Sequence, residues 1–467
     1  MTLLPILAYW CIALWGLVSR RPILLWLTVL SIPVGTLAIV PTTLTAGLTF
    51  TPLTMTAVLV CIREFGLHRN GFRFLYRAIT RLDQGLLLFL FLLLAVVLTF
   101  FMPRLLAGQI VIVPMRPQFF METRALHPTA QNVSQLAYLT VSVAASFAFF
   151  HMLRQPDMPA LFARIWVAGA LMLLATGALD LLAQFLPLAG FLDLFRTASY
   201  AILANADVQG SSRVIGLMPE ASAFGSTCVL FLSLLYFLRP ILPTLRDRRS
   251  ANIICALLAG FAILSTSSAA YVGLGVLGVL AVLDWGQRHS GGGRGTAREF
   301  TLAAAVLALL CGIVLLNPDL LTPITDRLQY LLLDKIDSRS YLERSMWTRV
   351  SFAAGIDSNF LGVGLGSTRA SNSLAVLFGS TGLLGVLLYA AFVAQSLLRP
   401  VPHSAEPIAS GLVRAIRWAF WPMFVIGLLI GTTADFGIAT ALQWGLILAI
   451  CATGPVATLA SRRQISP

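Results

Sequence analysis

Arg213-Val214-Ile215-Gly216-Leu217-Met218-Pro219-Glu220-Ala221-Ser222-Ala223-Phe224-Gly225-Ser226 opens an apolar run that continues to Leu238. An arginine and a glutamate thus stand at the mouth of a segment long enough to cross a membrane. A charged side chain near the middle of a spanning helix costs about 2.5–3.5 kcal/mol, so a carboxylate here is a functional candidate with a partner to be found. Read as a helix, the seven-residue spacing brings Arg213 and Glu220 close to one face, about 10 Å apart along the axis at ~1.5 Å per residue. In that geometry they flank one ligand without neutralising each other. The competing reading is a carboxylate that pairs an arginine to hold helices together.

Working outward, the 467 residues are 58% hydrophobic and 11% charged, with a mean hydropathy of +0.86. That is the profile of an all-α polytopic membrane protein, with no stretch left over for a separate soluble domain. Spans of about 17–25 apolar residues cover a hydrocarbon core of about 30 Å. The sequence divides into about 13 of them: 3–18, 22–40, 46–62, 84–102, 132–151, 164–186, 214–238, 251–266, 268–285, 300–316, 372–398, 413–434 and 436–456. Residues 1–467 form a single integral membrane domain in this reading, with a long outer loop over 317–371 containing short helices. The first segment has no basic leader and reads as a retained helix.

Charge sets the orientation. Arg20-Arg21, the run Arg63, Arg69, Arg73, Arg77 and Arg81, the cluster Arg246 to Arg249, the Gly-rich 286–299 and Arg462-Arg463 all fall on one side, which the positive-inside rule makes cytoplasmic. The net charge of +13 is therefore a topology signal, and no nucleic-acid partner is expected. Arginine at near four-residue intervals over 63–82 reads as an interfacial helix at anionic headgroups. The glycines at 291–293 lack the strand, helix and lysine of a phosphate loop and read as a linker. The six cysteines, Cys11, Cys61, Cys228, Cys255, Cys311 and Cys451, have neither disulfide nor zinc spacing. No metal or cofactor is expected.

The outer loops carry more arginine than topology favours: Arg104, Arg116 and Arg124, then Arg196 and Arg213, then Arg327, Arg339, Arg344 and Arg349 with Lys335. One account is local pairing with Asp326, Asp334, Asp337 and Glu343 in long loops that translocate regardless of charge. The other is that some converge on a polyanion, for which the planar guanidinium is suited.

Two further stretches bear on that choice. Ser340-Tyr341-Leu342-Glu343 has the form of a capping box and predicts a short helix, on which Arg344 and Trp347 share a face at i, i+3 and set a cation beside a flat aromatic surface. Leu361-Gly362-Val363-Gly364-Leu365-Gly366 follows, with glycine at every second position, permitting tight turns and close ligand approach. The helix starting after Asn372 offers N-terminal amides to an anion.

In order and spacing, the Arg213-x-x-Gly216-x-x-x-Glu220-x-Ser222 block, the Ser265 to Ala269 break, and the Arg344-x-x-Trp347 block with its Gly-rich turn and Ser371-Asn372 resemble the Wzy polymerase and O-antigen ligase superfamily. The resemblance covers roughly 205–390. It implies a metal-independent glycosyltransferase of the bacterial inner membrane, active on the periplasmic side on saccharides carried by undecaprenyl diphosphate. A chain-length regulator and a flippase are the expected partners besides the bilayer. Arg213 and Arg344 are expected to stabilise the departing diphosphate and Glu220 to act as base. Arg349, Trp347, Arg369, Asn372, Gly364 and Gly366 are expected to bind substrate. Ligases of the superfamily carry a His where this chain has Ser371, and a hydroxyl does not replace imidazole as a base near neutral pH. That departure favours a polymerase over a ligase or an oligosaccharyltransferase. A flippase or anion transporter using Arg213, Glu220, Asp180 and Asp435 is the reading from another class.

Overall fold

The computed structural model describes residues 3–41, 45, 48–198, 213–290 and 339–452. Among them lie fifteen α-helices and a single two-residue-strand hairpin, β1 (Val111–Ile112) and β2 (Arg124–Ala125). The helices are α1 (Leu3–Val18), α2 (Ile23–Ser31), α3 (Pro52–Cys61), α4 (Gly71–Thr80), α5 (Leu86–Leu105), α6 (Ala130–Met152), α7 (Met158–Ala183), α8 (Ala189–Asp193), α9 (Ala221–Leu238), α10 (Leu245–Leu264), α11 (Ser268–Ser290), α12 (Arg339–Asp357), α13 (Ser373–Leu398), α14 (Pro407–Ile430) and α15 (Ile438–Cys451). A π-turn, Ile62–Leu67, extends α3. Among the described residues seven helices, α5, α6, α7, α9, α11, α13 and α14, are long and apolar enough to cross a bilayer. The chain is a multi-pass helical membrane protein.

Of the spans read from the sequence, 3–18, 84–102, 132–151, 164–186, 251–266, 268–285, 372–398, 413–434 and 436–456 each fall largely on one helix, and 214–238 does so from Ala221 on, but two others do not. In place of full-length helices over 22–40 and 46–62 stand α2 and α3, nine and ten residues long; at ~1.5 Å per residue each α-helix alone is shorter than the core, and other backbone completes both segments. Pro33 has no N–H to donate back to Val29, so the helical hydrogen bonding stops there and α2 ends at Ser31 with Ile32 as its C-cap. Non-helical backbone survives in a membrane protein only where its polar groups find partners. Here Gly35 N and Thr36 N both donate to Leu217 O (2.9 and 3.1 Å), Thr197 N and Ala198 N donate to Thr36 O, and Ile39 N donates to Phe50 O. The expected span 300–316 and residues 317–338 of the long loop, including Arg327 and Lys335, lie outside the described residues.

α9 is the most enclosed of the seven long helices, with 78% of its most apolar window buried. It packs against α7, α10, α11 and α14. Small residues allow this: a Cβ on Gly225 would come within 2.4 Å of Ser265 Oγ, at the break between α10 and α11.

Bonds between segments near the helix ends sort into two ends of the bundle. At one end Leu217 meets Gly35, Arg213 meets Thr266, Arg369 meets Val113 and Met115, and Ser371 Oγ donates to Leu429 O. At the other, Arg63 reaches Gly16 and Arg21, Gln395 reaches Leu82, Arg399 reaches Gln84, and Arg414 pairs with Asp284.

Candidate functional site

The site is built on the segment ahead of α9, and the structure corrects its expected helical form. Residues 213–220 are extended and turned, and the helix begins only at Ala221. Pro219 and Gly216 account for this. Gly216 sits at φ +57, in the left-handed region, where an added Cβ would also crowd Phe224 at 3.0 Å. Glu220 takes extended angles (φ −155, ψ 163) and forms the N-cap without a side-chain cap; its carboxylate accepts a hydrogen bond from Ser222 Oγ. Arg213 and Glu220 therefore flank a turn rather than share a helical face.

Asp180 of α7 holds that turn in place. Its Oδ2 accepts from Ile215 N (2.8 Å) and Gly216 N (3.1 Å), while Oδ1 accepts from Arg196 Nη2 (2.8 Å), which also donates to Gly216 O (3.2 Å). Both oxygens of this buried carboxylate are engaged. Asp180 is a positioning residue for the Arg213 block, which weighs against its use in a transport pathway. Asp435 lies elsewhere, in the turn between α14 and α15, with Oδ1 accepting from Gly437 N (3.1 Å).

Arg213 reaches the break between α10 and α11. Its Nε donates to Thr266 Oγ1 (2.9 Å) and Ser265 O (3.3 Å), and Nη2 donates to Thr266 O (3.0 Å). Thr266 itself sits at φ +49, a costly conformation for a β-branched residue. Strain of this kind persists where surrounding contacts over-determine it. Nη1 makes no hydrogen bond to a described residue, which leaves one edge of the guanidinium for another partner.

Arg344 and Arg369 join this cluster from α12 and the turn before α13. Burial lowers the Arg213 guanidinium from its ordinary value, Glu220 and Tyr271 oppose the shift, and Arg344 adds to it. Arg369 is likewise lowered by burial and by Arg344, with Glu220 and Glu343 opposing. Arg344 therefore acts on both Arg213 and Arg369, and so does Glu220, although the two arginines come from separate segments. All three arginines stay charged, because a guanidinium keeps its proton in proteins. Holding like charges together is unfavourable alone, and a bound polyanion relieves it.

Trp347 has a different partner from the one expected. It is buried, with the Arg369 guanidinium stacked 4.3 Å above its ring centroid. Arg369 Nη1 also donates to Met115 O (3.3 Å), and Arg369 N donates to Val113 O (3.0 Å). The aromatic face thus supports a cation and is not presented to a sugar. The helix is also longer than expected: Ser340 lies inside α12, which runs on to Asp357, so it does not cap a short helix. Arg349 is exposed, about 140° around the helix from Arg344 at ~100° per residue. The structure does not bring it to the cluster.

The Gly-rich turn is also corrected. Gly362, Gly364 and Gly366 all have positive φ (+85, +84 and +72), but what they approach is protein. A Cβ on Gly364 would lie 3.0 Å from Leu98 O, and one on Gly366 would lie 2.3 Å from Gln131 O. Val363 N and Gly364 N donate to Gly379 O and Ser380 O (2.8 and 2.9 Å), carbonyls beside the kink of α13. Leu365 N donates to Thr99 Oγ1 (3.1 Å), and Asn132 Nδ2 donates to Leu365 O (2.7 Å). The turn thereby ties α13 to α5 and α6, and these amides are spent. Asn372 is committed as well: its Oδ1 caps α13 by accepting from Leu374 N (2.9 Å) and Ala375 N (3.0 Å), the amides expected to meet an anion.

One position packed against this turn gives a sharp test. Gly382, at the α13 kink, has φ 64 and ψ −169, a region essentially restricted to glycine, and a Cβ there would lie 2.1 Å from Phe360 O. Gly382→Ala is expected to cost at least the ~1–3 kcal/mol of such strain, seen as a lower unfolding temperature of the purified protein. An unchanged unfolding temperature would show that the kink relaxes freely.

Two of the remaining outer-loop arginines are accounted for locally. Arg104 Nη1 donates to Phe100 O, and Arg124 pairs with Glu122. Asp180, Arg196 and Thr266 are the participants that the motifs did not reveal. Each left only a trace: Asp180 as a carboxylate in an apolar helix, Arg196 as a surplus outer-loop arginine, and Thr266 as part of the Ser265 to Ala269 break.

No known family's sequence model matches the chain, and no curated protein matches it either.

Proposed function

We propose that this protein is a polysaccharide polymerase of the bacterial inner membrane, moving a growing glycan from undecaprenyl diphosphate onto a lipid-linked repeat unit for an exopolysaccharide, capsule or O-antigen. The observation that carries the reading is that Arg213 and Arg369 both feel Glu220 and both feel Arg344 at one end of the bundle. These are residues of the blocks that resemble the Wzy and ligase superfamily. In the proposed topology about thirteen spans place this end in the periplasm and the arginine-rich end in the cytoplasm.

The chemistry follows from the charges. An acceptor hydroxyl attacks the anomeric carbon of the donor sugar, the bond from that carbon to the diphosphate oxygen breaks, and the lipid diphosphate leaves with the bonding electrons. Negative charge grows on the leaving oxygen, where fixed guanidinium groups stabilise the transition state more than the ground state. Glu220 accepts the hydroxyl proton. Arg213 and Arg344 act on the diphosphate, and Arg369, steadied on Trp347, adds to their field.

The test uses the purified chain with a lipid-linked repeat unit and EDTA, with products sized by mass spectrometry. Multimers on the lipid diphosphate are the expected result. Transfer only to an added lipid A–core acceptor would assign a ligase. Passage of the substrate across proteoliposomes without bond formation would assign a transporter. In the same assay Glu220→Gln is expected to lower turnover by about 100-fold or more, the usual scale for losing a general base, with donor binding kept. Loss of folded protein instead would make Glu220 a structural partner of Ser222.

A further inference from the structure

A second feature lies at the opposite end of the bundle and does not depend on the function proposed above. A cavity of about 430 Å³ opens between the end of α1, the π-turn, the end of α6 and the start of α7. Its polar lining is Arg20, Arg63, Glu64, His68 and Gln155, with the Ser19 hydroxyl beside them. The volume exceeds the ~30 Å³ share of one water more than tenfold, which leaves room for a headgroup.

The charges inside are arranged asymmetrically. Arg63 is fixed on the cavity wall, its Nη1 donating to Gly16 O (3.2 Å) and Arg21 O (3.3 Å). Glu64 is the one carboxylate of the lining and is 3% exposed. It is already engaged by His151 Nδ1 (2.6 Å), His68 Nε2 (3.6 Å) and Arg63 Nε (3.9 Å). Arg20 is exposed and its guanidinium bonds to no described residue, and exposed Arg21 follows it. The lining therefore keeps uncompensated positive charge.

The rim decides the kind of anion. Val18 and Leu67 border the same opening and are 84% and 62% exposed. A free phosphate has no use for such a rim, whereas an amphiphile places its phosphate on the arginines and its acyl chains against the apolar side chains. Basic pockets between helices at the membrane surface are suited to this kind of ligand. We propose that this cavity is a binding site for the phosphate headgroup of one anionic glycerophospholipid from the adjoining leaflet, with Arg20 and Arg63 as the phosphate ligands. The amphipathic α4 nearby, with Arg73 and Arg77 beside exposed Phe72 and Tyr76, is a separate and less selective lipid contact.

Native mass spectrometry of the full chain from a neutral detergent, titrated with dioleoyl phosphatidylglycerol or dioleoyl phosphatidylcholine, separates the two contacts. One phosphatidylglycerol is expected to bind at least tenfold more tightly than phosphatidylcholine. R20Q is expected to weaken it at least fivefold, V18N at the rim to weaken it as well, and the R73Q/R77Q pair to leave it within twofold. Equal affinity for the two lipids would overturn the site. So would an R20Q protein that binds unchanged, or a loss in R73Q/R77Q equal to that in R20Q, which would put the lipid on α4. Inorganic phosphate displacing the lipid at matched concentration would overturn the lipid assignment.

Discussion

Arg213→Ala is expected to lower glycan transfer by at least about 100-fold, the scale for removing one fixed charge from a developing oxyanion, while the protein still inserts and folds. The three hydrogen bonds from Arg213 to Ser265 and Thr266 aim the guanidinium. Arg213→Lys keeps the charge but cannot make that forked contact, so it is expected to recover only part of the activity. Arg344→Ala is expected to match Arg213→Ala, since Arg344 acts on both Arg213 and Arg369. The readout is product formation per folded protein. Full activity in both alanine variants would remove the diphosphate clamp from the mechanism.

Asp180→Ala is expected to have the largest structural effect. It strips the partner from Arg196, whose Nε is already buried without a hydrogen bond, and frees the amides of Ile215 and Gly216. Breaking a buried pair in this way costs about 3–5 kcal/mol, so unfolding temperature and transfer activity should fall together. In Arg213→Ala activity should fall with a much smaller change in unfolding temperature. Asp180→Asn keeps one acceptor oxygen and should sit between Asp180→Ala and the unaltered protein. A stable but inactive Asp180→Ala would instead give this carboxylate a direct part in the chemistry.

The all-helical, multi-pass fold was legible because apolar length and arginine bias are local signals. The division at Ser265–Ser268 was readable for the same reason, since four small polar residues interrupt an apolar run. Other features were hidden because hydropathy counts side chains and ignores the backbone. Residues 22–40 score as a span, yet Pro33 and Gly35 turn the chain out of helix and its amides find Leu217. The segment 213–220 carried its own warning in Gly216 and Pro219, but the ionic spacing favoured a helix. Partners far apart in sequence were beyond reach: Asp180 bonds residues 35 positions away, and Trp347 carries Arg369 on its ring. Periodicity identifies a face, and only the packed chain shows what that face meets.

The central claim is that Arg213, Arg344 and Arg369 together hold a lipid diphosphate. Equilibrium binding of undecaprenyl diphosphate to the purified protein, compared with Arg213→Ala, Arg344→Ala and Arg369→Ala, tests it most directly. The account predicts that each substitution weakens binding at least about tenfold, or ~1.4 kcal/mol, with Arg349→Ala unchanged. Binding that is the same in all three variants as in the unaltered protein would contradict it.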